Sequence, residues 1–496
     1  MVTEILALSL SAVLFSLSFP SLVSTWGLYP LAFVALSPVF WVIGRANWSR
    51  VLLYGALYGF GSYALFNYWL STFHPLALLF VPSVHLVYGV FLFLIMKLVT
   101  YCFPRYAPVW QSLIWVAYEY LKTRGFLGYP YGVIGYTQYL FGPLARFSAL
   151  TGVWGVSLLT VLCNAYVGYL LGALCPLRRK IGQRVMLLLR RRPVFPLVWS
   201  LLFIGAIGYG ASLPTDYSDT SQWRVALIQQ NIDPWRGGYI AYERSLEVLL
   251  RQSQRALQED PEAVIWSETS FVPGIDWHTR YRESSPEAIR KYELVRQLLS
   301  YLERQTVPFV VGNDDGQKRG QERVDYNASL LFENGNLVKT YRKLHRVPFT
   351  EYYPDWGPQF IRRLLVDFDI HFWERGEELT VFETAGVRFS TPICFEDSFG
   401  YLSRDFINAG AQVIVNMTND GWSKSIPAEM QHFAMAVFRA TENRRSVVRA
   451  ANSGITGIIE PSGRIAATIE PFVEGRLVGN VPVFDSVTTL YTRAGD

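Results

Sequence analysis

Residues 387–397 read VRFSTPICFED, a strand-like run that leads to Cys394, with Glu396 and Asp397 just beyond it. In residues 263–269, AVIWSET, Glu268 likewise follows a strand-like run, and in residues 413–420, VIVNMTND, Asn419 and Asp420 follow one. Polar residues at the carboxyl ends of several strands are typical of sites in layered α/β domains. The sequence therefore predicts an α/β domain with its site at one rim of the sheets.

The segments around these strands alternate between strand and helix patterns. We predict strands at 223–232, 263–269, 308–314, 387–395, 413–418 and 447–451, and helices at 241–257, 286–305 and 428–444. Hairpins are predicted at 327–342, around Asn334-Gly335, and at 455–465, around Pro461-Ser462-Gly463. Together these segments indicate one soluble domain over residues 220–491.

The first 214 residues differ in composition. They contain 14 Lys/Arg and two Asp/Glu, whereas residues 215–496 contain 31 and 38, so the overall charge of +5 does not indicate a nucleic-acid partner. Seven apolar stretches lie at 5–23, 28–43, 51–70, 76–99, 109–121, 150–174 and 194–211. Most are long enough to cross a bilayer, so we predict a helical transmembrane bundle of about seven spans over residues 1–213.

Basic residues predict the orientation of this bundle. Arg45 and Arg50 flank one short loop, Arg105 lies in the next loop but one, and seven basic residues crowd the 175–193 loop. The positive-inside rule places these alternate loops in the cytoplasm and everything after residue 213 outside. The first stretch lacks a basic n-region and an A-x-A site, so we expect a retained span rather than a cleaved signal peptide.

The four cysteines are Cys102, Cys163, Cys175 and Cys394. Only Cys394 lies in the soluble half, which therefore has no internal disulfide, and no CxxC or HxxxH pattern predicts a metal site. A lone thiol in an oxidising compartment is a liability unless it is buried or used. Cys394 is therefore a candidate nucleophile.

A nucleophilic cysteine needs a base or a nearby cation that favours the thiolate. One alternative is a Cys-His hydrolase, with the histidine drawn from His278, His345, His371 or His432, although no papain-like or caspase-like pattern surrounds Cys394. The other alternative uses Glu268 as the base and Lys343, with a backbone N–H beside Cys394, to stabilise an oxyanion. The residues alone leave both alternatives open.

Three ordered segments resemble the Glu-Lys-Cys motifs of the nitrilase superfamily: WSET (266–269), YRKLHRVPFTEY (341–352) and TPICFED (391–397). VNMTNDGWSKS (415–425) and RATENRRSVVRAANSGITGIIEPSGRI (439–465) extend the likeness. With its apolar first half and its GYPYGVIGYTQ loop (128–138), the chain resembles the apolipoprotein N-acyltransferase family. The resemblance implies a multi-pass bundle in the bacterial inner membrane and an α-β-β-α sandwich domain on its periplasmic face.

The resemblance also implies a role for each matching residue. Cys394 would be the nucleophile, Glu268 the general base and acid, and Lys343 the stabiliser of the tetrahedral intermediates. The backbone N–H of Phe395 would complete the oxyanion hole, and Glu351 would be a second active-site carboxylate. Supporting positions, for which a plain structural role is the alternative, are Glu396, Trp422, Glu442 and Trp235.

The implied activity is ping-pong transfer of an acyl chain from a phospholipid, phosphatidylethanolamine by resemblance, to the α-amino group of an apolipoprotein's diacylglyceryl-cysteine. It implies no cofactor, no metal, no nucleic-acid partner and a monomer. A membrane-tethered amidase with a small soluble substrate would share the triad but has no use for seven spans. A transporter or scaffold is the non-enzymatic alternative, which the few intramembrane charges, Glu119 and Lys97, disfavour.

The sequence departs from the pattern of the family at its end. The family continues past a Y-x-R-x-G segment, here Tyr491–Gly495, into a last transmembrane helix, whereas this sequence stops at Asp496. We expect either a truncated sequence or a missing second anchor.

Overall fold

The computed structural model describes residues 1–73, 75–174, 194–281, 284–360, 362–363 and 372–496. The chain divides into two compact units. The first comprises Met1–Pro214, Ser423–Glu442 and Asp496, and the second comprises Thr215–Trp422 and Asn443–Gly495. A segment from the predicted soluble half therefore groups with the N-terminal unit, while the exact domain boundaries stay a prediction.

The first unit is helical. Its helices are Val2–Ser18, Ala32–Ala35, Ser37–Arg45, Trp48–Phe66, Leu70–Phe73, Pro75–Cys102, Ala107–Leu121, Gly142–Arg146, Ser148–Leu174, Val194–Ser212 and Ile426–Asn443. Among the described residues, three segments are long and apolar enough to cross a membrane: Leu76–Cys102, Ser148–Gly172 and Val194–Ser212. Helices occupy the other four predicted stretches too, but these are shorter or less apolar, so the count of seven spans stays a prediction. The 175–193 loop, with Cys175, lies outside the described residues.

Glycines bring the helices Trp48–Phe66 and Pro75–Cys102 close together. A Cβ built on Gly59 would lie 2.1 Å from the His85 carbonyl oxygen, and one on Gly89 would lie 2.3 Å from the Gly55 carbonyl oxygen. Small residues at such crossings let two backbones approach each other inside a membrane. A larger side chain at Gly59 would therefore push the two helices apart.

The two charges that the sequence places inside the membrane half have structural partners. Lys97 Nζ donates to the Ile43 carbonyl oxygen at 3.1 Å. Glu119 Oε1 accepts from Trp115 Nε1 at 3.1 Å and from the Ile134 N–H at 2.9 Å, which fixes the glycine- and tyrosine-rich loop. These contacts give both residues a structural role.

The second unit contains two six-stranded sheets. The first has the order β12-β1-β2-β3-β4-β5 and the second the order β11-β10-β9-β8-β7-β6. The strands are β1 Ser221–Gln229, β2 Ala263–Ile265, β3 Phe309–Arg319, β4 Glu322–Glu333, β5 Asn336–Arg342, β6 Val381–Thr384, β7 Val387–Ser390, β8 Val413–Thr418, β9 Ser446–Ala451, β10 Thr456–Ile459, β11 Ile465–Ile469 and β12 Gly475–Val483. The two sheets meet where the rings of Trp223 and Phe389 lie 5.1 Å apart.

Helices complete the layers of the second unit. They are Tyr239–Leu257, Ile275–Arg280, Pro286–Leu302, Gly400–Asn408 and Leu490–Ala494. Apolar side chains of the first and third of these helices, such as Leu249 and Leu298, pack with Val264 and Val311 of the first sheet in one buried core. The predicted nitrilase-like sandwich is confirmed.

Two details of the strand prediction were wrong. The predicted strand at 387–395 ends at Ser390, because Pro392 has no N–H to donate to a ladder, and Cys394 instead begins a 3-10 helix that ends at Ser398. The prediction also omitted β6 and β12. The strand β12 pairs antiparallel with β1 from Ser221↔Val483 to Gln229↔Gly475, a pairing between the two ends of the unit.

Candidate active site

Three predicted site residues that follow strands of the two sheets lie close together. Glu268 lies three residues beyond β2, Lys343 directly follows β5, and Cys394 follows β7. Lys343 Nζ lies 3.5 Å from Glu268 Oε1 and 2.7 Å from Glu351 Oε1. Cys394 lies close enough to Glu268 for each group to shift the pKa of the other. Residues that are 126 positions apart in sequence (268 to 394) thus form one cluster.

Two amide donors hold Glu268 in place. Asn327 Nδ2, on β4, donates to Oε1 at 2.8 Å, and the backbone N–H of Asn419 donates to Oε2 at 2.8 Å. The side chain is 6% exposed. Burial raises the pKa of Glu268 above its ordinary value, although the nearby Lys343 opposes this shift. A carboxylate with a raised pKa is suited to take a proton and return it later in a reaction.

Lys343 is a buried cation between two carboxylates. It is 1% exposed, and burial alone would lower its pKa, but Glu351 and Glu268 raise the pKa above its ordinary value. Glu351 is itself fixed, because its Oε2 accepts from the Val347 N–H at 2.7 Å. A fixed ammonium group in a dry site is well suited to stabilise developing negative charge on an oxygen.

Cys394 has a strained backbone. Its φ of 53° lies in the left-handed region, which costs a non-glycine residue about 1–3 kcal/mol and is common at functional sites. Asn416 Nδ2 donates to its carbonyl oxygen at 3.1 Å, which anchors the turn to β8. Burial and the carboxylate of Glu268 raise the pKa of the Cys394 thiol. The resting group is therefore the thiol, which needs a base at the moment of attack.

Glu396 connects the segments that carry Lys343 and Cys394. It is fully buried, and its Oε1 accepts from the N–H groups of Leu344 at 2.7 Å and His345 at 2.8 Å. Its Oε2 accepts from the Ile393 N–H at 2.7 Å and from the Tyr341 hydroxyl at 2.8 Å. Burial raises the pKa of Glu396 to about 7, while Lys343 opposes the shift. These contacts give Glu396 a positioning role.

The histidines have other partners. His345 Nδ1 lies 3.0 Å from the Tyr401 hydroxyl, its ring lies 3.9 Å from that of Phe399, and burial and Lys343 lower its pKa to about 4. His432 belongs to the first unit, where its ring lies 6.4 Å from that of Tyr131. His278 is buried on the helix Ile275–Arg280, and His371 lies outside the described residues. The geometry therefore favours the carboxylate-lysine arrangement over a Cys-His pair.

The remaining supporting residues lie in two places. Trp235 and Trp422 form a perpendicular pair with ring centroids 4.9 Å apart, and both are exposed by more than a third. Glu442 belongs to the first unit, where it accepts from the Val153 N–H at 3.0 Å and pairs with Arg439 at 2.7 Å. Burial raises the pKa of Glu442 to about 7, although Arg439 opposes the shift. These contacts hold Glu442 within that unit, and its supporting role at the site stays a prediction.

The ring of Phe395 lies 4.8 Å from that of Phe399, and the role of the Phe395 N–H as an oxyanion donor stays a prediction. Within the described part of the chain, no three His, Cys, Asp or Glu side chains are grouped to hold a metal ion.

Sequence reasoning missed the polar residues that support the cluster. Asn327 and Asn416 bind Glu268 and the Cys394 backbone, and Asn416 lies inside the fully buried, mostly apolar strand β8. A single polar residue within an apolar strand is a usable signal, because a buried amide needs hydrogen-bond partners. The partner itself was not predictable, because it lies on a different strand.

Comparisons with known proteins cover both halves of the chain. Residues 11–166 match the family described as apolipoprotein N-acyltransferase N-terminal domain, and residues 224–486 match the carbon-nitrogen hydrolase family. An apolipoprotein N-acyltransferase 1 of Treponema denticola is 40% identical over 98% of this chain and 92% of its own length. The Treponema pallidum protein of that name is 40% identical over 99% of this chain and 92% of its own length. The Geobacter metallireducens apolipoprotein N-acyltransferase is 31% identical over 98% of this chain and 91% of its own length.

Solved structures of nitrilase-superfamily proteins match about half of this chain. An amidase of the nitrilase superfamily from Nesterenkonia is 18% identical, with a TM-score of 0.39, over 56% of this chain and 95% of its own. A nitrilase-superfamily protein of Saccharomyces cerevisiae is 19% identical, with a TM-score of 0.38, over 53% and 91%.

Proposed function

Since this chain belongs to the apolipoprotein N-acyltransferase family, we propose that it transfers an acyl chain from a phospholipid to the α-amino group of an apolipoprotein's N-terminal diacylglyceryl-cysteine. The observation that carries the proposal is the buried cluster in which Lys343 lies 3.5 Å from Glu268 and 2.7 Å from Glu351, with the Cys394 thiol close enough for Glu268 to raise its pKa. This cluster has a nucleophile, a base and a fixed cation, which an acyl transfer through a thioester requires.

In the first half-reaction, the Cys394 sulfur attacks the ester carbonyl carbon of the phospholipid while Glu268 takes the thiol proton. The carbonyl oxygen becomes an oxyanion, which Lys343 Nζ and the Phe395 N–H stabilise. As the intermediate collapses, the bond between the carbonyl carbon and the glycerol oxygen breaks, and protonated Glu268 returns its proton to that oxygen. The products are a thioester on Cys394 and a lysophospholipid.

In the second half-reaction, the neutral α-amino group of the apolipoprotein attacks the thioester carbonyl carbon. Glu268 takes a proton from the attacking nitrogen, and Lys343 again stabilises the oxyanion. The carbon–sulfur bond then breaks, and the leaving sulfur recovers the proton from Glu268. The result is an amide on the apolipoprotein and the original thiol, so the residues are ready for another cycle.

Both substrates are lipids, which agrees with a chain that has three helices able to cross a membrane. We place the protein in the bacterial inner membrane as a monomer, with the catalytic domain on the periplasmic side. The acyl donor in this proposal is phosphatidylethanolamine, which gives its sn-1 chain. The orientation rests on the alternate basic loops of the first 214 residues.

The test uses purified protein in detergent with phosphatidylethanolamine and a synthetic diacylglyceryl-cysteine peptide. Mass spectrometry should show a peptide heavier by one acyl chain, formed by the wild type and by Cys163→Ala but not by Cys394→Ala. Release of ammonia from small soluble amides, with no acylated peptide, would instead identify an amidase. No acylated peptide and no amide hydrolysis would refute an enzymatic role for the cluster.

A further inference from the structure

Arg449, in the middle of β9, is a fully buried cation that the triad chemistry does not use. Its Nη1 lies 2.5 Å from Asp397 Oδ2, and its Nη2 lies 2.8 Å from Asp420 Oδ2. Asp397 is fully buried, and the Asp420 side chain is 11% exposed. One guanidinium group therefore bridges two carboxylates from segments that are 23 residues apart (397 to 420).

Each of these carboxylates belongs to a segment that carries either a reacting group or a residue that binds a reacting group. Asp397 lies on the 3-10 helix Cys394–Ser398, one turn beyond the nucleophile. Asp420 directly follows Asn419, whose N–H donates to Glu268 Oε2 at 2.8 Å. Asp420 Oδ1 also accepts from Thr418 Oγ1 at 2.8 Å, so the carboxylate holds its own turn in place.

We propose that Arg449 is a positioning residue, which fixes Cys394 relative to Glu268 by holding Asp397 and Asp420 on one guanidinium group. The inference rests on the proposed function, because it assigns Cys394 and Glu268 the roles of nucleophile and base. Arg449 acts through its two partners and does not contact a reacting atom in this scheme.

The chemistry of the side chain supports this role. Arginine has a planar group with donors on two sides, so it can bridge two carboxylates at a fixed separation, whereas lysine is a point charge on a flexible stem. A buried ion network of this kind is weak evidence for stability, because desolvation offsets the attraction between the charges. We therefore assign this ion network to the placement of the turns at 394 and 419 rather than to stability.

Asp420→Asn is the most informative substitution. It leaves the fully buried pair of Arg449 and Asp397 intact and removes one charge from the more exposed end of the network. The turn at 419 then loses its ion pair with Arg449, and the Asn419 N–H is held less firmly against Glu268. A hydrogen bond to a carboxylate favours its charged form, so weakening this bond should raise the pKa of Glu268. The groups that face Glu268, namely Lys343, Glu351 and Cys394, keep their side chains, but the lost Asp420 charge also lowers the pKa of the Cys394 thiol, which Asp420 raises in the wild type.

The experiment measures single-turnover acyl loading from phosphatidylethanolamine, followed by the intact mass of the full-length protein between pH 5 and pH 9. In Asp420→Asn, we expect the rate to fall about 10–100-fold, as small misplacements of reacting groups do. We also expect the pH midpoint of loading to shift, which a general loss of folded protein would not cause. Arg449→Lys should show the same two changes, and Asp420→Glu should recover part of the rate.

The matched control is Arg476→Lys, which changes an arginine of β12 that pairs with Glu259 at 3.1 Å and is one-third exposed. This variant should load like the wild type. If Asp420→Asn keeps the wild-type rate and pH midpoint while the wild type loads normally, Arg449 is not a positioning residue. If the wild type itself fails to load, the proposed function is wrong, so the two failures are distinguishable.

Discussion

Replacing Glu351 by glutamine should show how strongly the second carboxylate supports Lys343. The two charges lie 2.7 Å apart, with Lys343 1% and Glu351 14% exposed. At an effective dielectric constant of about 20, unit charges at this distance attract each other by about 6 kcal/mol. Breaking a buried pair by removing one partner typically costs about 3–5 kcal/mol, because desolvation has already offset part of the attraction.

Glutamine keeps the shape of the side chain and can still accept from the Val347 N–H, so we expect the variant to fold and insert. The substitution destabilises the charged form of Lys343, because burial lowers the pKa of Lys343 and Glu351 is the largest contribution that raises it. Lys343 therefore loses its proton at a lower pH in Glu351→Gln than in the wild type. We expect acyl loading at pH 7.5 to fall about 100-fold, equivalent to ~2.7 kcal/mol of transition-state stabilisation.

The assay is single-turnover acyl loading, followed by intact mass between pH 6 and pH 10. The decline on the alkaline side should begin at a lower pH in Glu351→Gln than in the wild type. Glu374→Gln is the matched control, because that carboxylate is 45% exposed and lies 3.9 Å from Arg319. If folded Glu351→Gln loads within about twofold of the wild type across the whole range, less than ~0.5 kcal/mol, Glu351 does not support Lys343.

Three further predictions follow from the site and the fold. Glu268→Gln should slow acyl loading about 10²–10⁴-fold, because the thiol then has no base. A rate near that of the wild type, measured by mass spectrometry of samples quenched at set times, would contradict this role. Gly59→Ala should lower the melting temperature of the detergent-solubilised protein, because its Cβ would lie 2.1 Å from the His85 carbonyl oxygen, whereas Gly61→Ala, with nothing within 4 Å, should not. A single cysteine at Asp260 should be labelled by an impermeant thiol reagent outside intact cells and one at Arg184 should not; labelling at Arg184 would overturn the orientation.

The sequence alone predicted the parts of the site that depend on local pattern. Strand-like runs ending in Glu268 and in the Cys394 segment indicated an α/β rim, and the ordered motifs singled out Lys343 and Glu351. The contacts between them depend on the tertiary fold. The four donors of Glu396 come from two stretches of chain that lie about 50 residues apart, and no periodicity indicates that one carboxylate binds them all.

Long-range pairing was also beyond local pattern. The strand β12 joins β1 across most of the second unit, and its alternation alone does not identify the partner. The helix Ile426–Asn443 was predicted as a helix, but not its grouping with the N-terminal unit. Gln431 of this helix donates to the Pro20 carbonyl oxygen at 2.9 Å, a contact between residues 411 positions apart. Such contacts are set by the packing of whole elements.

The central claim is that Cys394 carries the acyl chain between the two substrates. The most direct measurement is the intact mass of the protein after incubation with phosphatidylethanolamine alone, followed by addition of the diacylglyceryl-cysteine peptide. We expect a gain of one acyl chain that hydroxylamine removes, that maps to Cys394 and that disappears as acylated peptide forms. Acylated peptide formed by a protein that never gains the chain, or an acyl adduct that persists in Cys394→Ala, would refute the thioester mechanism.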